Sequence, residues 1–168
     1  MITTLVMTIL GADRPGLVRS LSDVIASHGG SWQESRMARL AGQFAGIARV
    51  ECPTPSALDL IENLKALNTV GLTVQVVRES AATPDPRRTL TVNVVGNDRP
   101  GIVRDLSTAI ANAGGNVEEL NTGLESAPMA GHPLFRATGV ISIPESADPA
   151  TLIAAIELLG GDLSVDIT

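Results

Sequence analysis

Two short turns hold the residues best suited to chemistry: Gly11-Ala12-Asp13-Arg14-Pro15-Gly16 and Gly96-Asn97-Asp98-Arg99-Pro100-Gly101. In each, glycine permits a tight turn and close backbone approach, proline presets the angle of a first helical turn, and the unpaired amides there can hold an anion. The aspartate adds the opposite preference. A site that offers amides to a carboxylate and a carboxylate to an ammonium suits a free amino acid, which carries both charges on one carbon, better than a phosphate. For one isolated copy, an ordinary helix-start turn, in which the aspartate satisfies backbone amides itself, is the better account.

Nucleophilic and metal chemistry find little to work with. There is no tyrosine, His28 and His132 occupy unrelated places, and Cys52 sits beside Pro53 with no histidine at a suggestive spacing. His28 reads as a residue near a helix C-terminus and Cys52 as a small apolar strand residue. Glu118 and Glu119 point to opposite faces if they lie on a strand, which argues against a shared acid-base dyad. We therefore assign no catalytic residue, no metal set and no cofactor. A single cysteine excludes an internal disulfide framework and points to a reducing compartment.

The formal charge of −6 and a pI near 4.8 oppose direct nucleic-acid binding, which needs a basic face to displace counterions from phosphates. The imbalance is local: residues 1–77 hold six basic and six acidic side chains, residues 89–168 three and ten. The apolar opening MITTLVMTIL has no basic start, no cleavage site and no membrane-spanning length. The expectation is a cytoplasmic protein with no membrane partner.

The turns are positioned by an internal repeat. Residues 11–30 align without a gap to residues 96–115, with thirteen of twenty positions identical. Upstream, Leu5, Met7 and Ile9 fall on Leu90, Val92 and Val94, the alternation of a half-buried strand. Leu17, Leu21, Val24, Ile25 and His28 then recur at helical spacing, Pro15 suits the first helical turn, and Gly29-Gly30 ends the helix. A strand from Trp32 to about Leu40, a turn at Ala41-Gly42-Gln43 and a strand from Phe44 to Cys52 form a hairpin. Leu58, Ile61, Leu64 and Leu67 mark a second helix, and Leu72, Val74 and Val76 a last strand. The second repeat copies this order through Ile102, Leu106 and Ile110, then Phe135 to Ile143, then Leu152, Ile156 and Leu159, then Leu163, Val165 and Ile167.

Two ferredoxin-like βαββαβ sandwiches of the α+β class follow, over residues 1–77 and 89–168, joined by a linker over 78–88. Matching Phe44 to Phe135 raises the offset from 85 to 91, so the second hairpin holds about six extra residues within 125–133. These are either a tolerated surface insertion or a lid or partner-contact loop distinguished by Met129 and His132.

The turn, the amphipathic helix, the Gly-Gly end and the βαββαβ frame together resemble the ACT domain, twice over nearly the whole chain. A free-standing tandem with both turns reading DRPG looks most like the glycine cleavage system transcriptional repressor family. That resemblance implies a regulator with no activity of its own. It would respond to a small amino acid such as glycine, form a homodimer, and act on a DNA-binding transcription activator through protein contact. It also implies where the ligand binds: at the first turn and, often from a neighbouring domain, at a polar residue that starts the second strand. Asn97, Asp98, Gly101 and Asn116 match those positions, with Arg99, Pro100 and Ile102 around them. The first repeat offers Asp13, Pro15, Gly16 and Leu17, but Ala12 and Ser31 where the second has Asn97 and Asn116. Arg14 and Arg99 are expected to face solvent. Two other readings stand beside this one: a ligand-free interaction module that regulates a metabolic enzyme, and a small ferredoxin-like enzyme.

Overall fold

Alternating Leu5, Met7 and Ile9 place one side of the first strand in a core and leave Thr8 and Leu10 outside, the pattern a one-sided sheet requires. The computed structural model describes residues 1–81, 85–126, 128, 129 and 131–168. The chain divides into two units, Met1–Ala82 and Thr83–Thr168.

Unit 1 runs β1 (Ile2–Ala12), α1 (Leu17–Ser27), β2 (Ser31–Leu40), β3 (Gln43–Pro53), α2 (Ala57–Ala66) and β4 (Leu72–Arg78). Its antiparallel sheet has the order β2-β3-β1-β4. Unit 2 repeats the plan with β5 (Arg87–Asn97), α3 (Ile102–Asn112), β6 (Asn116–Ser126), β7 (Pro133–Pro144), α4 (Pro149–Glu157) and β8 (Ser164–Ile167), in the order β6-β7-β5-β8. Both are the βαββαβ sandwiches expected. Leu21, Ile25, Leu60 and Leu64 seal one face of the first sheet, and Leu106, Ile110, Leu152 and Ile156 one face of the second. Each such side chain stabilises its unit by roughly 1.5–3 kcal/mol. Among the described residues, no helix is long and apolar enough to cross a membrane.

Local chemistry sets the boundaries. The β2–β3 hairpin closes through two residues of positive φ, Ala41 at 49° and Gly42 at 78°, the handedness that matches strand twist. Asp148 caps α4 by accepting the Ala150 amide at 2.9 Å, and Pro149 occupies its first turn. A bulge interrupts β2 between Trp32 and Glu34, and another interrupts β6 between Val117 and Glu119, at equivalent points of the two sheets.

The structure revises two local expectations. Pro15 and Pro100 stand before their helices, because Gly16 (φ 88°) and Gly101 (φ 83°) take the left-handed N-cap position and the helices begin at Leu17 and Ile102. In α2 the buried stripe is Ala57, Leu60 and Leu64, while Leu58 is 66% exposed. Of the expected stripe, Leu64 is buried and Ile61 and Leu67 pack against the core, so only Leu58 is displaced, its place taken by Ala57 and Leu60. The extra residues of the second hairpin add one rung, Ser126 opposite Pro133, at its far end. Met129 and His132 are exposed there. Residues 127 and 130 of that insertion, like 82–84 of the expected linker, lie outside the described residues.

Candidate functional site

Each turn connects the first strand of its unit to the first helix, and in both it is anchored to the hairpin tip. The Asp13 amide donates to the Gly42 carbonyl at 2.9 Å and the Asp98 amide to the Pro133 carbonyl at 3.1 Å. The Asn97 amide is also committed, to Asp162 Oδ2 at 2.8 Å. No side chain caps the first turn of α1 or of α3. The amides left for an anion are therefore those of the helix starts, where the helix dipole also favours negative charge.

Arg14 is exposed and Arg99 half-buried, and the guanidinium of each turns back onto its own unit. Arg14 donates to the Val70 carbonyl and Arg99 Nη2 to the Leu159 carbonyl at 3.1 Å, so each reaches across to carbonyls just beyond the second helix of its unit. Carbonyls at a helix end lack internal partners and attract a cation, which explains the shared posture. Arg99 goes further. Its Nη1 donates to Asp105 Oδ2 at 2.8 Å, and Arg104 Nε donates to Asp105 Oδ1 at 3.1 Å. Hydrogen bonds from Arg99 and then Arg104 hold the Asp105 carboxyl below its ordinary range. In unit 1 the corresponding residue is Ser20, whose hydroxyl donates to the Gly16 carbonyl at 3.0 Å.

The aspartates differ most. Asp13 Oδ2 meets Arg39 Nε at 2.7 Å, and Arg39 lies on β2 opposite Phe44. The equivalent residue of β6, opposite Phe135, is Leu124. Among the described residues no partner meets the Asp98 carboxylate, which is exposed at the turn. Asp98 is thus left open to a cationic group, and Asp13 is occupied.

Asn97, Asp98, Arg99, Pro100, Gly101 and Ile102 come together at the start of α3, as Ala12, Asp13, Pro15, Gly16 and Leu17 do at α1. Asn116 and Ser31 do not join them. Asn116 lies beyond the far end of α3, an eleven-residue helix of roughly 16 Å that separates it from the turn. It is exposed, with its Nδ2 donating to Glu118 Oε1 at 3.2 Å. Ser31 holds the same place after α1, accepting from Gln33 Nε2 at 3.2 Å.

Elsewhere, His28 ends α1 with Nδ1 at 2.7 Å from the Val24 carbonyl and Nε2 at 3.0 Å from Asn63. Cys52 is buried on β3, and burial pushes its thiol up. Glu118 and Glu119 serve separate partners, Ser142 and Asn121. Sequence reasoning missed Arg39 and Asp105. The second was visible as a Ser20-to-Asp105 difference within the aligned repeat; the first depends on a cross-strand neighbourhood that alignment alone does not display.

Residues 3–77 match the family model of the ACT domain. Over 163 residues the chain is 28% identical to a glycine cleavage system transcriptional repressor of Escherichia coli (strain K12), covering 95% of this chain and 85% of that protein. A crystal structure of an unknown protein from Galdieria sulphuraria superposes with a TM-score of 0.84 at 28% identity, over 99% of this chain and 98% of that one. A candidate glycine cleavage system transcriptional repressor, 19% identical, shares the fold with a TM-score of 0.69 over 100% of this chain and 98% of its own.

Proposed function

From the premise of a tandem ACT-domain protein that resembles the glycine cleavage system transcriptional repressors, we propose a non-enzymatic regulator that binds a small amino acid, glycine foremost. It passes that signal to transcription through a protein partner and not through DNA contact, for which a net charge of −6 is unsuited. The observation that carries this reading is Asp98: a carboxylate with no partner among the described residues, beside the uncapped first turn of α3. The carboxylate takes the ligand's ammonium, and the helix-start amides take its carboxylate. Asn116 is too far along α3 to serve the turn of its own unit, so a second copy of the chain completes the site and the working form is a homodimer.

The test is thermal unfolding of the purified protein against each of the twenty amino acids. A ligand at a hundred times its dissociation constant stabilises by roughly 2.7 kcal/mol. A selective upward shift with glycine or another small amino acid is the expected outcome. A second reading, the ligand-free interaction module, draws on β6, an edge strand exposed along all eleven residues with Val117, Leu120 and Leu124 on its surface. It replaces the first if no amino acid shifts the midpoint.

A further inference from the structure

Among the described residues, Ser142 is the one buried polar side chain, 3% exposed on β7. Its hydroxyl sits in a chain of defined direction. Arg87 Nε donates to Ser142 Oγ at 3.0 Å, Ser142 Oγ donates to Glu118 Oε1 at 2.7 Å, and Asn116 Nδ2 donates to the same Oε1 at 3.2 Å. An arginine only donates and a carboxylate only accepts, so neither the hydroxyl nor the Asn116 amide can be reversed. Arg87 is itself fixed, its Nη2 donating to the carbonyls of Gly114 at 2.7 Å and Ser142 at 2.9 Å.

The fold does not require this relay. In unit 1 the register places Ile2 opposite Pro53 and Ser31 opposite Glu51, where unit 2 has Arg87 opposite Pro144 and Asn116 opposite Ser142. Unit 1 forms the same sandwich without it. In unit 2 the relay ends on Glu118, the extra residue of the β6 bulge, which a bulge re-aims out of the strand register.

We infer that Arg87, Ser142 and Glu118 are positioning residues that hold the Asn116 amide with its nitrogen turned inward and its carbonyl oxygen presented outward, as the acceptor for the ammonium of an amino-acid ligand. This rests on the amino-acid reading above and deepens it, naming the ligand group that Asn116 meets. An untethered asparagine would offer NH2 or oxygen indifferently; a tethered one discriminates.

The test combines glycine titration by calorimetry with NMR of the Asn116 side-chain amide in the full-length protein and in Glu118→Ala, Glu118→Gln and Ser142→Ala. Glu118→Ala should weaken glycine binding about tenfold, the scale of one hydrogen bond to a charged acceptor, and lower the unfolding midpoint without ligand by a few degrees, because the buried Ser142 hydroxyl loses its acceptor. Glu118→Gln, whose carbonyl still accepts, should stay within about twofold. The two Asn116 Nδ2 proton signals should move in Glu118→Ala and Ser142→Ala and persist in Glu118→Gln. Wild-type-like binding by Glu118→Ala, or equal losses in the Ala and Gln variants, would overturn the assignment, the second by showing that the Glu118 charge acts on the ligand directly. If wild type binds no amino acid, the regulator reading fails; unmoved Asn116 signals in Glu118→Ala overturn the positioning on their own.

Discussion

Units 1 and 2 share a backbone plan and the letters DRPG, yet they place opposite demands on the turn aspartate. In unit 1, Asp13 is held by Arg39 at 2.7 Å. In unit 2 the position of Arg39 belongs to Leu124, and Asp98 has no partner among the described residues. A second exchange acts on the arginine. Asp105 stands where unit 1 has Ser20, and it draws Arg99 and Arg104 together behind the turn. Unit 1 therefore consumes its charges internally, whereas unit 2 braces its arginine and, among the described residues, leaves its aspartate without a partner. A motif match by itself would score the turns as equal; their neighbours make them different.

The largest expected effect comes from deleting the open carboxylate. Asp98→Ala should weaken amino-acid binding by about 2–3 kcal/mol, since it strands the ligand's ammonium, while Asp13→Ala should leave affinity nearly unchanged. Unliganded stability should move by no more than about 0.5 kcal/mol in Asp98→Ala, because no capping bond is lost. Calorimetric titration with parallel thermal scans decides both. Equal losses in the two variants would erase the distinction between the units.

A milder perturbation exchanges the neighbours. Leu124→Arg should give Asp98 the partner that Asp13 has and lower affinity about tenfold, by competition for the same carboxylate. Arg39→Leu should free Asp13, and a weak second binding event in the titration would show that the neighbour alone silenced unit 1.

The smallest effect is pH dependence. The folded Asp105 carboxyl is depressed by Arg99 and Arg104, so its contribution is fully present above the unfolded value of about 3.9 and is lost as pH falls through the lower folded value. Thermal midpoints of wild type and Asp105→Asn should therefore differ slightly at neutral pH and converge in strong acid. Ser20→Ala should show no such convergence, since a hydroxyl carries no charge to lose.

Much of the fold was legible because the repeat supplied its own control. Leu5, Met7 and Ile9 against Leu90, Val92 and Val94 predicted the central strands, and all six are buried. The second helix was harder: residues 57, 58, 60 and 61 are all apolar, so periodicity alone could not choose which face turns inward. At the site, the turns themselves were legible, but the engagement of Arg14 and Arg99 with carbonyls beyond the second helices was not. Those contacts join positions more than fifty residues apart, and nothing local in DRPG announces them.

Trp32 lies half-buried against the core of unit 1, and the chain has no other tryptophan and no tyrosine. Near-ultraviolet emission excited at the indole band consequently originates in unit 1 alone, while backbone circular dichroism samples both units. The molecule thus carries a built-in optical separation. A denaturant titration followed by both signals will give coincident curves if the units unfold as one, and staggered curves if each melts independently. Adding glycine should then displace the dichroism transition of unit 2 without requiring any label.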